Sequence, residues 1–140
     1  MKKPVAAMLL ACGGLQACGF AGTDGAPTIA GGLQAEMREI RRSMEQEVGE
    51  ASARRIDQCR VLRVGEKACG GPQAYLIYST AVSSERKLQE LARQYTEAEE
   101  KYNRVTGAMS TCSYVLPPEP QLRNGKCTGK RNEARDPGGK

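Results

Sequence analysis

Histidine is absent from this chain of 140 residues, tryptophan is absent too, and phenylalanine occurs once, at Phe20. Without histidine there is no Ser-His or Cys-His nucleophile pair, so the commonest routes to an activated hydroxyl or thiol are closed. Zinc sites of the mixed Cys/His kind are excluded for the same reason, and no C-x-x-C pair stands in for them. The near-absence of Trp and Phe limits the apolar area that a domain of this size can bury. Covalent restraint is therefore expected. No apolar run approaches the roughly 20 residues that a membrane-spanning helix needs. Charge of either sign is also not in large excess. Loss of Lys2 and Lys3 with a leader would take Lys+Arg from 21 to 19 against 16 Asp+Glu, and the signs are mixed along the chain. That balance argues against nucleic acid as a partner.

The informative stretch is Leu15-Gln16-Ala17-Cys18. It follows a cationic start at Lys2-Lys3 and a short apolar stretch, Val5–Ala11, and it puts the small residue Ala17 before a cysteine. These are the parts of a secretory signal in their usual order. The four residues resemble the lipobox of bacterial lipoproteins, which implies cleavage before Cys18, acylation of its thiol, and anchoring of the mature protein to a membrane. Met8-Leu9-Leu10-Ala11-Cys12 is a competing lipobox with a shorter apolar region, and an ordinary secretory signal with an incidental cysteine is a further alternative. Gly19, rather than Asp, follows Cys18. Resemblance to Gram-negative lipoproteins then implies the outer membrane, with the domain facing the periplasm. Residues 18–28, rich in Gly and Ala, read as a flexible tether.

Of the six cysteines, Cys12 leaves with residues 1–17 and Cys18 takes the lipid, so Cys59, Cys69, Cys112 and Cys127 remain. An even number in an exported chain reads as two disulfides. Cys59–Cys127 with Cys69–Cys112 would tie the central strand and turn to the C-terminal hairpin. Cys59–Cys69 with Cys112–Cys127 is the local alternative.

Leu33, Met37, Ile40, Met44 and Val48 recur at helical spacing and stop at Gly49. Leu88, Leu91, Tyr95, Ala98, Tyr102 and Val105 form a second stripe, opened by Ser83 or Ser84 as N-cap and ended by Gly107. On it, Glu97–Lys101 and Glu100–Arg104 are correctly oriented i,i+4 pairs. Arg60–Val64 and Ser113–Leu116 read as short strands, and Tyr75–Tyr78 concentrates apolar bulk after a turn. Asn124-Gly125 is the preferred pair for a two-residue hairpin, which would set Leu122-Arg123 against Lys126-Cys127. The expected fold is α+β: two long amphipathic helices against a short antiparallel sheet, braced by disulfides, spanning residues 29–127. Residues 128–140 are polar and Gly-rich, and are expected to be disordered.

Enzymatic motifs fail on inspection. Ser84-Glu85-Arg86-Lys87 matches the S-x-x-K of penicillin-recognising acylases, but the S-D-N and K-T-G elements that chemistry needs do not occur. The glycines of Lys67-Ala68-Cys69-Gly70-Gly71-Pro72 lack the order of a phosphate loop. Glu99-Glu100 sits on a helix that reads as solvated, with no apolar setting to raise a carboxyl pKa. No metal or cofactor is expected.

One region stands out as a candidate binding surface: Gly70, Gly71 and Pro72 in a rigid turn beside Tyr75 and Tyr78. Asp57-Gln58-Cys59-Arg60, Cys69-Gly70-Gly71-Pro72 and Tyr75-Leu76-x-Tyr78-Ser79 together resemble a motif of small cysteine-rich secreted proteins and lipoproteins of proteobacteria. The resemblance covers about residues 33–127. Members often carry two more cysteines, near positions 51 and 121, where this chain has Ala51 and Gln121. No activity attaches to that group, so the resemblance implies none. The expectation is a membrane-anchored envelope lipoprotein that binds a protein partner without catalysis, with a structural or assembly role as the alternative.

Overall fold

The computed structural model describes residues 28–130. Thr28 caps the first helix, α1 (Ile29–Val48), its hydroxyl accepting from the Gly31 N–H at 3.0 Å. After α1 a short 3-10 turn (Ile56–Gln58) leads into the antiparallel hairpin β1 (Cys59–Val64) and β2 (Ala74–Ser79), with Cys59 opposite Ser79 and Val64 opposite Ala74. Ser84 caps α2 (Glu85–Thr106), which ends at Gly107 in the left-handed conformation. A second antiparallel hairpin, β3 (Glu119–Arg123) and β4 (Lys126–Lys130), turns at Asn124-Gly125 with both residues at positive φ, as that dipeptide predicts.

The architecture is α+β, as expected, but the strands form two separate two-stranded sheets. Side chains alternate along β1 and β2, and each face has its own cover. Leu62, Val64, Leu76 and Tyr78 pack with Ile40 and Met44 of α1 and Leu88, Ala92 and Tyr95 of α2. On the other face, Cys59 and Ile77 pack with Cys127 and Leu122 of the second hairpin and with Ala51 and Ala53. The first hairpin is thus a middle layer between a helix pair and a second hairpin. Ala51–Ala53 runs alongside β4: the Cys127 N–H donates to the Ala51 carbonyl at 2.9 Å and the Ala53 N–H to the Gly125 carbonyl at 2.8 Å.

Several expectations change. Ser113–Leu116 is not a strand; the Asn124-Gly125 turn sets the register, and its partner strand begins only after Pro117-Pro118. β4 runs past Cys127 to Lys130, so residues 128–130 belong to the domain. The remainder of the expected tail, 131–140, lies outside the described residues. The buried line of α2 is Leu88, Ala92, Tyr95 and Ala98, while Val105 is 53% exposed. Small residues at 92 and 98 bring the helix close to its neighbours, and the stripe ends a turn earlier than its apolar spacing implied. Glu97 pairs with Arg93 in place of Lys101, and Glu100 does pair with Arg104 at 3.9 Å.

Candidate functional site

The turn joining β1 to β2 is held by its backbone. Gly65, at φ +75°, ends β1 and donates its N–H to Thr96 Oγ1 at 3.2 Å. The next N–H, of Glu66, donates to Glu99 Oε2 at 2.7 Å, and Asn103 Nδ2 donates to the Glu66 carbonyl at 3.0 Å. Thr96, Glu99 and Asn103 stand at i, i+3 and i+7 on α2, a polar row beside the apolar one. They clamp the start of the loop to the helix. The Glu66 carboxylate then accepts from the Gly71 N–H at 2.8 Å, and Lys67 and Gly71 close the turn by a backbone bond of 2.9 Å. Gly70 and Gly71 take φ of +94° and +84°, as expected of this turn.

Glu99 therefore differs from its sequence reading. It is half-buried, and burial pushes its carboxyl above the ordinary range, against the Glu66 N–H and the charge of Arg41. Both Glu66 and Glu99 are engaged with backbone N–H groups. Among the described residues no group of three His, Cys, Asp or Glu could hold a metal ion. No described helix is long and apolar enough to cross a membrane.

Beside the turn opens a cleft of about 310 Å³, lined among others by Met37, Lys67, Ala68, Glu99, Tyr102 and Met109. Gln34 Nε2 donates to Tyr102 Oη at 2.8 Å across its helical wall. Its outer wall is the segment after α2, where Met109 is 96% exposed. Lys67 reaches across with its ammonium on the Ser113 carbonyl, joining the turn to that segment.

The five residues expected to form one binding surface do not all stay at the surface. Gly70 and Gly71 are at the turn, but Pro72 is buried. Tyr78 is only 3% exposed and belongs to the helix-facing core, so it is no contact residue. Tyr75, at an odd position, faces away from Tyr78, because a strand sends alternate side chains to opposite faces. Burial pushes the Tyr78 hydroxyl pKa up, with Glu85 acting in the same sense. The surface around the turn is instead completed by Ala68 and Met109. Met109 went unnoticed in the sequence because it belongs to no periodic stripe. The Thr96–Glu99–Asn103 row was visible there only as the polar flank of a helix.

Cys59 and Cys127 are joined, with Cα atoms 5.4 Å apart, which selects the long-range pairing over the local alternative for these two. Cys69 and Cys112, expected as the second disulfide, are exposed free thiols. The two loops that carry them are joined by Lys67 on the Ser113 carbonyl. Cys12 and Cys18 lie outside the described residues. No protein-family model, curated protein or solved structure matches the chain.

Proposed function

We propose that this protein is a bacterial envelope lipoprotein, anchored through the lipid on Cys18 at the outer membrane, whose domain binds a protein partner without catalysing a reaction. The address rests on Leu15-Gln16-Ala17-Cys18 and its cationic, apolar lead-in. An intrachain disulfide fits an oxidising compartment. α1 opens at Ile29, directly after the Gly- and Ala-rich residues 18–28, so the tether has a folded head to carry.

The observation that carries the binding reading is Met109: almost wholly exposed, it borders a cleft whose other wall is the backbone-clamped turn at Lys67-Ala68. The preformed loop lowers the ordering cost of association, and the exposed apolar side chain beside it supplies area to bury. Blocking the active site of an envelope hydrolase is one form such binding takes. The structural or assembly role has weaker support, because Ile40 and Met44 of the α1 stripe are buried against the rest of the fold.

The test is capture from crosslinked envelopes. The wild-type protein is expected to retain a single dominant partner, lost in Met109→Glu and Ala68→Glu, while the melting temperature changes little. Equal capture by these variants would move the interface elsewhere. Mass spectrometry of the membrane fraction is expected to find an acylated N-terminal peptide beginning at Cys18, and Cys18→Ser to release the protein. A mature chain beginning elsewhere would overturn the anchoring.

A further inference from the structure

The four cysteines of the domain occupy two contrasting settings. Cys59 and Cys127 are 3% and 7% exposed, closed in a disulfide between the two hairpins. Cys69 and Cys112 are exposed and unjoined, one on the turn and the other on the segment after α2. The two loops that carry them are already linked by Lys67 and the Ser113 carbonyl. Cys112 has φ +54°, a left-handed conformation that a residue with a Cβ rarely adopts. It is held there with its N–H on Ser110 Oγ at 3.2 Å.

We propose that Cys69 and Cys112 are a reversible redox site, exchanging between dithiol and disulfide with small thiols and disulfides of the envelope while Cys59–Cys127 stays closed. Exchange needs a thiolate with in-line access to a disulfide sulfur, and exposure supplies access only to the first pair. The Cys112 thiol donates to the Ser110 carbonyl at 3.6 Å and so holds its proton, which leaves Cys69 as the attacking sulfur. Its thiolate, its proton passed to solvent, displaces one thiolate from a small disulfide and forms a mixed disulfide. Cys112 then loses its proton and attacks the Cys69 sulfur, and the second thiolate leaves and takes up a proton. The protein's two thiols are oxidised and the small disulfide is reduced to two thiols. Closure welds the turn to the Met109 segment and fixes the mouth of the cleft. The site does not depend on the binding reading above.

The experiment uses the full chain with Cys12→Ser and Cys18→Ser, equilibrated in glutathione buffers of graded poise, quenched with acid, alkylated and mapped by mass spectrometry. Cys69–Cys112 is expected to form in oxidised buffer, and to open with at least about tenfold less reductant than Cys59–Cys127 requires. In oxidised glutathione, Cys112→Ser is expected to accumulate glutathione on Cys69 faster than Cys69→Ser accumulates it on Cys112. A Cys69–Cys112 bond that never forms, or two bonds that open together, overturns the redox site. Equal rates in the single variants overturn the attacking role of Cys69.

Discussion

At the residue scale, the loop depends on the polar row of α2 that clamps it and on the missing side chain at Gly65. A Cβ at Gly65 would lie 2.2 Å from Glu99 Oε2 and 2.9 Å from Gln73 Cβ, at a φ that L-residues avoid. Gly65→Ala is therefore expected to cost about 1–3 kcal/mol, measured by urea denaturation, and to loosen the turn. Glu99 gives a pH signature. Burial sets its folded pKa above its unfolded one, so its protonated form favours folding, and that contribution is lost as pH rises through the folded pKa. Glu99→Gln keeps an acceptor for the Glu66 N–H without the half-buried charge. It is expected to match or exceed wild type in stability at neutral pH, with wild type gaining on it as pH falls into the carboxylate range. A wild-type advantage that grows with pH would contradict this. None of it was legible in the sequence, because the setting of Glu99 is made by a loop 33 residues away in the chain.

At the element scale the sequence was read more successfully, since periodicity and caps are local. Both helices, the Ser84 cap, Gly107, the Arg60–Val64 strand and the Asn124-Gly125 turn occur where the residues indicated. What failed depended on partners. Ser113–Leu116 has strand-forming residues but pairs with no strand among the described residues, and Val105 continues a stripe beyond the surface that could cover it. Leu88, with no exposed surface, is the discriminating case. Leu88→Ala is expected to cost about 2–5 kcal/mol, whereas Val105→Ala, on the same spacing, should change stability by no more than about 0.5 kcal/mol. Ser84→Ala is expected to cost about 1 kcal/mol. Thermal unfolding of the three variants checks the order.

For the whole molecule, three layers are tied by one buried disulfide between the middle hairpin and the last. It closes a separation of 68 residues, and replacing both Cys59 and Cys127 by serine is expected to cost about 2–4 kcal/mol. The long-range pairing was one of three connectivities open to sequence reading, and the fold joins Cys59 to Cys127 by bringing β1 and β4 onto one core. The binding surface was legible only in its turn; its second wall arrives from the far end of α2. The central claim is that this two-walled mouth meets a protein in the envelope. The direct measurement places a photoreactive residue at Met109 in living cells, with Arg42 on the outer face of α1 as the control position. Crosslinks to one protein from position 109 and none from 42 are the predicted result, and crosslinks from 42 alone, or from neither position, would contradict it.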